Sequence, residues 1–210
     1  MAPAERTTAR SPQAGRLLGV DLDNVSFLPK LRRTRFAPGT VVDELIEVKD
    51  ATAQKLLRSI VHLVADIPAD SPPDVVWESG RNELLVTTDR VKLSCTSGVV
   101  TIGVRVHCDQ IDAPTEVTVP IGVGTRDHPR GLVMSTFFRP LGPAAVVEPW
   151  ADALVGFAWE CLLELARKLC AEVGSDGQGR PLIPVDVGAA PKLLLIRAMA
   201  RHDANIGSLG

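Results

Sequence analysis

The chain has 210 residues and a formal net charge of −2, which is the size of one large domain or two small ones. Hydrophobic residues make up 45% and charged residues 23% of it, a mix typical of globular proteins. No apolar run reaches the roughly 18 residues that a membrane-spanning helix needs, and residues 1–16 lack the apolar segment of a secretory signal. We therefore expect a cytoplasmic protein with no membrane partner. The abundance of Ala, Val, Arg and Gly, without any Tyr, is typical of a GC-rich bacterial or phage genome.

Charge is distributed unevenly along the chain. Residues 1–36 hold seven basic and three acidic side chains, whereas the remainder holds 16 basic and 22 acidic ones. We expect a basic arm and connector over 1–36, a single domain over 37–205 and a flexible tail over 206–210. Such an arm suits an acidic protein surface, including that of a second copy, while the acidic body argues against nucleic acid as a partner. The candidate contact residues of the arm are Arg32, Arg33 and Arg35.

Apolar spacing predicts helices on both sides of a strand-rich block. A first helix is expected over 50–67, with Asp50 as its N-cap and Pro68 at its end. The strongest signal spans 148–173, where Pro149 suits the first turn and Gly174 supplies the stop. The remaining predictions are a possible strand over 17–29, an ambiguous segment over 40–48, a short strand over 182–188 and a further helix over 192–203.

A period of two between residues 73 and 140 predicts an antiparallel meander. The apolar residues stand at even-numbered positions before Asp89-Arg90 and at odd-numbered positions after it, which predicts a turn there. A loop at 97–98 pairs Cys95 with Val100, Leu93 with Ile102 and Val91 with Val104, and a loop at 112–115 pairs Val106 with Ile121 and Cys108 with Val119. The expected strands are 74–79, 83–88, 91–96, 99–111, 116–124 and 131–139. The predicted class is therefore α+β, with a meander of five to six strands whose apolar face is covered by the long helix and flanking helices.

Two groups of polar residues are candidates for a site. Arg105, His107 and Asp109 alternate along one predicted strand, where Asp could orient His and Arg could hold an anion. No nucleophile motif accompanies them, and the wet face of any half-buried sheet shows the same alternation. The second group lies in the loop TRDHPRG (125–131), which is either a polar turn or a contact loop for a phosphate or an acidic partner. Its candidate residues are Arg126, His128 and Arg130.

The stretch LLGVDLDNV contains an Asp-x-Asp after an apolar run. In this respect it resembles the nucleophile strand of haloacid-dehalogenase-type phosphatases. The resemblance implies that Asp21 attacks phosphorus and Asp23 handles the leaving oxygen, with magnesium between them. Those enzymes have a doubly wound parallel sheet, which the meander contradicts. In the alternative interpretation Val20 and Leu22 face the core and the acids face water.

Other cofactor chemistry has no support in the sequence. The four cysteines show no metal-binding spacing and have apolar neighbours, so we interpret them as reduced core residues. The four histidines fall on separate elements, and no nucleotide-binding motif is present. We therefore expect no metal, no cofactor and no catalytic residue.

Two functions remain open. The first is a non-catalytic binding or assembly protein that acts as a homo-oligomer or as part of a larger complex. The reason is that the long helix is apolar around more of its circumference than one sheet can cover. Secretion chaperones share this general architecture without a common motif. The second is a carrier of small apolar ligands, or an enzyme, with a cavity between the sheet and the long helix. Its lining candidates are Trp150, Phe157, Trp159 and Met134, of which Trp159 is also a candidate partner contact.

Overall fold

The computed structural model describes residues 32–35, 43–68, 71–132, 135–176 and 179–200. Over these ranges the chain forms two antiparallel sheets and two helices, which confirms the α+β class. The helices are α1 (Asp50–Val64) and α2 (Ala144–Val173). The strands are β1 (Arg32–Arg35), β2 (Asp43–Lys49), β3 (Asp74–Ser79), β4 (Asn82–Thr96), β5 (Val99–His107), β6 (Thr115–Gly122), β7 (Thr136–Phe137), β8 (Leu182–Ala190) and β9 (Leu193–Ala200).

The meander sheet has the order β3-β4-β5-β6-β7. The pairs of Cys95 with Val100 and of Leu93 with Ile102 are confirmed, but the turn predicted at Asp89-Arg90 is wrong. Strand β4 runs through that point as one element. Between the pairs Thr87–Arg105 and Lys92–Gly103, residues 88–91 lie opposite Val104 alone. Such a bulge changes which face the following residues occupy, so it produces the same phase change that a turn would.

The hairpin between β5 and β6 has a longer loop than expected. Strand β5 ends at His107, and the Ile111 N–H donates to the Cys108 carbonyl at 3.1 Å within the loop. Val106 therefore faces Thr115 instead of Ile121, a shift of six residues, and the pair of Cys108 with Val119 does not form. Because the shift is even, every side chain keeps its face, and Val119 and Ile121 are still buried. The last predicted strand, 131–139, is reduced to Thr136–Phe137.

A second sheet, with the order β1-β2-β9-β8, replaces the helix predicted over 192–203. Strands β8 and β9 form a hairpin whose loop is Pro191-Lys192, with Lys192 at a φ of 62°. Strand β9 lies between two others, and its successive residues Leu194, Leu195 and Ile196 are all buried, so both of its faces are covered. A strand covered on both faces loses its alternation and cannot be told from a helix by periodicity. The ambiguous segment before α1 is a strand, β2, for residues 43–49.

One hydrophobic core fills the space between the helices and the two sheets. At its centre the Trp77 ring of β3 lies 5.4 Å from the Phe157 ring and 6.5 Å from the Trp150 ring of α2. Helix α2 starts at Ala144 instead of residue 148, because the Val146 and Val147 N–H groups donate to the Pro143 carbonyl. Pro149 consequently lies inside the helix. The stop at Gly174, at a φ of 87°, is confirmed.

Backbone hydrogen bonds join the two sheets at their hairpin tips. The Gly98 N–H donates to the Ala189 carbonyl and the Lys192 N–H to the Cys95 carbonyl, each at 3.0 Å. Beside them the Ala189 N–H donates to the Gly124 carbonyl at 2.9 Å, which places Gly124 and Gly188 in a parallel bridge. The chain that follows β6 thus runs directly along the edge of β8.

We expect opposite effects from replacing two glycines by Ala. A Cβ on Gly124 would lie 3.0–3.1 Å from backbone atoms of 128–130, so Gly124→Ala should lower the free energy of unfolding by about 1–3 kcal/mol. A Cβ on Gly156, inside α2, would meet nothing within 4 Å, so Gly156→Ala should raise it by about 0.5–1 kcal/mol. Urea unfolding of both variants checks this, and equal effects would contradict the close approach at Gly124.

Candidate functional site

The loop predicted to make contacts, which we call the basic loop (125–131), is held against β8. Beneath it, Gly124 leaves room for the backbone of 128–130. The Thr125 N–H donates to the His128 carbonyl at 3.0 Å, and the His128 N–H donates to the Thr125 hydroxyl at 3.2 Å. At its other end, the Gly131 N–H donates to the Asp186 carboxylate at 2.9 Å. The loop therefore presents its exposed side chains, Arg126, His128 and Arg130, on a fixed backbone.

The basic loop contacts strand β2, the strand with which β1 pairs. Arg126 forms a salt bridge with Glu47 of β2, whose side chain is only 8% exposed. Strand β1 pairs with β2 so that Arg32 is the register partner of Glu47, Arg33 of Ile46 and Arg35 of Glu44. The hydrogen bond from Arg126 to Glu47, together with their charge attraction, raises the pKa of Arg126. The structure thus brings the two predicted basic groups to one sheet.

Asp186 is the buried anchor of the basic loop. It lies in β8, and one of its oxygens is 4.0 Å from the Arg197 guanidinium of β9. Burial raises the pKa of Asp186, and the hydrogen bond from Gly131 and the nearby charge of Arg197 only partly oppose this. Because its carboxylate is engaged by the backbone of the loop, it serves as a positioning group rather than as an accessible acid.

The polar residues predicted on the meander do not form a group on one strand. Arg105 and His107 lie on β5, whereas Asp109 lies beyond its end, in the loop before β6. The register partner of Arg105 is Glu116 on one side and Thr87 on the other, and that of His107 is Leu85. The Nδ1 atom of His107 is buried without a hydrogen-bond partner, so no carboxylate orients this imidazole there.

The four cysteines are free and buried, as expected from the sequence. Burial raises the pKa of the Cys95 and Cys170 thiols to about 12 and raises that of Cys161 as well. A thiol is a nucleophile only as the thiolate, so these three are unsuited to covalent catalysis. Within the described ranges, no three His, Cys, Asp or Glu side chains are placed to hold a metal ion.

An open groove lies beside α2, and we call it the apolar groove. It has a volume of about 680 Å³. Its lining includes Phe137 of β7, whose ring centroid is 5.3 Å from that of Trp159, and Ile183 of β8. Phe137 is 45% and Ile183 42% exposed. The groove is lined by Leu132, Ser135, Phe137, Trp159, Leu163, Arg167, Leu182, Ile183 and Pro184.

The aromatic residues of α2 fall into two classes. Trp150 and Phe157 are buried in the core, where they pack on Trp77 instead of lining a cavity. Trp159 lines the apolar groove. Sequence reasoning singled out Trp159 but missed Phe137 and Ile183. The adjacent pair Phe137-Phe138 was the available signal in the sequence.

Some predicted residues cannot be placed. Asp21, Asp23 and the possible strand over 17–29 lie outside the described residues, as does Met134. The predicted arm over 1–36 is described only for Arg32–Arg35, which form β1. The tail over 206–210 is likewise outside.

Comparisons with known proteins leave the function open. No family model, curated protein or solved structure matches the chain. In the described part of the chain, neither helix combines the length and apolarity needed to cross a membrane.

We expect the buried state of Asp186 to be visible in the pH dependence of stability. Its pKa in the folded protein is raised above 3.8, so the folded state holds this proton more tightly than the unfolded state. The contribution of Asp186 to stability must then fall as pH rises from 3.8 through the folded pKa. Asp186→Asn should lose this slope. Urea unfolding at stepped pH measures it, with Asp127→Asn in the same loop as the matched loss of a carboxyl.

The opposite result is also informative. If wild type and Asp186→Asn keep the same slope between pH 3.8 and neutrality, the carboxyl is not desolvated. The buried position of Asp186 would then be wrong.

Proposed function

We propose that the protein is a non-catalytic binding protein that assembles with further copies of itself through the apolar groove. The observation that carries this proposal is the exposure of two large apolar residues, Phe137 and Ile183, that line the groove together with Trp159. Soluble monomers rarely expose contiguous apolar surface of this kind, and where they do it usually marks an interaction site. Large aromatic side chains are also the residues that contribute most to protein interfaces.

The polar groups around the groove favour binding over catalysis. Ser135 and Arg167 are the polar side chains of its described lining, which includes no His, Asp, Glu or Lys that could act as a general base. General acid–base catalysis needs such a group within hydrogen-bond reach of the substrate. Arg167 is half exposed and shares an ion pair with Glu164 at 3.3 Å, so it can serve as a charged rim for a partner.

The charged residues in and next to the apolar groove indicate which kind of partner it would bind. The described lining contains a cation and no carboxylate, and the basic loop lies next along the chain from Leu132. An apolar surface that includes an arginine and adjoins a basic loop along the chain suits a partner with apolar and acidic side chains. Because its thiols are free and buried, we place the protein in a reducing compartment, the cytoplasm.

A carrier of small apolar molecules is the second candidate. The volume of the groove, about 680 Å³, falls within the range of ligand pockets. The position differs from the cavity expected between sheet and helix, where the Trp77, Trp150 and Phe157 rings are packed together. The groove is also open to solvent along α2, which suits a chain segment better than an enclosed ligand.

A matched pair of substitutions tests self-assembly. Ile183→Glu places a carboxylate in the groove, whereas Leu141→Glu changes a residue that is 61% exposed and lies outside the described lining. We expect Ile183→Glu to weaken self-association at least about tenfold, since burying an unpaired charge is costly, and Leu141→Glu to leave it nearly unchanged. Light scattering after size exclusion, over a range of concentrations, measures both. A wild-type protein that is monomeric throughout would refute self-assembly.

A further inference from the structure

We propose that residues 6–10 of the arm, which lie outside the described residues, add a further strand to the outer edge of β3 in the same chain. This edge is at the opposite side of the meander sheet from β7. Three features point to the added strand: the backbone groups that β3 leaves open, the acids beside them, and a matching spacing of arginines in the arm. The contact does not depend on the self-assembly proposed above.

Strand β3 is an edge strand, and among the described strands it pairs only with β4. The Thr88 N–H donates to the Pro73 carbonyl at 2.8 Å, which fixes the residues whose backbone bonds to β4. Because hydrogen-bonded pairs alternate along an antiparallel ladder, the N–H and C=O groups of Asp74, Val76 and Glu78 point away from β4. No described residue bonds to these groups, which we call the open edge groups.

The adjacent edge of the same sheet is closed. Strand β4 extends beyond the end of β3, and helix α1 covers its free side there. The Gln54 side-chain oxygen accepts a hydrogen bond from the Leu93 N–H at 3.1 Å. The Arg58 guanidinium donates to the Val91 carbonyl at 3.0 Å, and the tip of the β8–β9 hairpin donates to the Cys95 carbonyl. The fold thus satisfies the backbone along β4, as folded proteins generally do, whereas no described residue does so along β3.

Two acids flank the open edge groups. Asp74 and Glu78 are exposed and share one face of β3 with Val76, whereas Val75 and Trp77 are buried on the other. Neither acid forms an ion pair with a described residue. A second β3 paired antiparallel about Val76 would bring Asp74 opposite Glu78, and like charges in that position are destabilising. A strand with two cations four residues apart would place an opposite charge beside each acid.

The arm contains a segment with this spacing. In ERTTAR (5–10), Arg6, Thr8 and Arg10 stand at alternate positions, so an extended chain places all three on one face. With Thr8 beside Val76, both arginines lie opposite acids whichever way the segment runs. Opposite charges that face each other across strands are stabilising, and Thr is a residue favoured in strands.

The length of chain between the segment and β1 allows the contact within one molecule. Arg10 is joined to β1 by residues 11–31, which can span up to about 70 Å. A domain of this size has a radius of gyration of about 15 Å, so its whole surface is within reach. A segment on the same chain acts at an effective concentration of about millimolar. It therefore binds ahead of the arm of a second copy in a more dilute solution.

Amide hydrogen exchange of the full-length chain, followed residue by residue by NMR, tests the added strand. We expect the N–H groups among the open edge groups to exchange at least about tenfold more slowly in wild type than in Arg10→Glu. Arg16→Glu makes the same charge change outside the segment and should alter the exchange less than about twofold. The N–H groups of Val75 and Trp77, which bond to β4, report in each variant whether the sheet is folded.

A compensating substitution makes the test specific to this contact. Arg10→Glu is combined with Asp74→Arg in one double variant and with Glu78→Arg in another. We expect slow exchange to return in one of the two, the first if the added strand is antiparallel to β3 and the second if it is parallel.

The other outcomes contradict the proposal in different ways. If the open edge groups exchange as fast in wild type as in Arg10→Glu, or if neither double variant restores slow exchange, the segment does not occupy this edge. If slow exchange is lost on dilution, a second copy supplies the segment and the contact within one chain is wrong. A wild-type chain that is monomeric and still shows slow exchange would refute the proposed self-assembly and support this contact.

Discussion

The packing of α2 against the two sheets is the interaction on which the rest of this structure depends. The Trp77, Trp150 and Phe157 rings meet where the meander sheet faces the helix, and the apolar residues of β8 and β9 belong to the same core. Large aromatic side chains dominate the energetics of such a core. Because the inner side of α2 is committed to it, the orientation of the helix also decides that Trp159 faces outward.

The hydrogen-bonded contact between the two sheets determines which residues lie beside Trp159. Backbone hydrogen bonds from Gly98 and Gly124 hold the edge of β8 against the meander. Strand β8 then contributes Ile183 and Pro184 to the apolar groove and, further along, Asp186 to the basic loop. The two candidate surfaces are therefore neighbours because one strand builds both. A change that loosened this strand should affect them together.

The alternation of apolar and polar residues predicts this fold well where each strand has one buried face, and it fails elsewhere. It identifies the hairpin at Cys95 and Val100 and keeps the correct faces even where the register is shifted by six residues. It cannot separate a bulge from a turn at Asp89-Arg90, since both change the phase. It also cannot recognise β9 as a strand, because burial on both faces erases the alternation. The basic side chains of the candidate site are visible in the sequence, whereas Phe137 and Ile183 become a surface only when distant strands meet.

The most direct test of this account is the free energy of unfolding of Phe157→Ala compared with that of Phe138→Ala. Both remove the same atoms, but Phe157 of α2 is fully buried against Trp77, whereas Phe138 is 46% exposed. The account predicts a loss of about 3–5 kcal/mol for Phe157→Ala and a loss well below about 2 kcal/mol for Phe138→Ala. Equal losses in the two variants would contradict the packing of α2 on the meander and, with it, the outward position of Trp159.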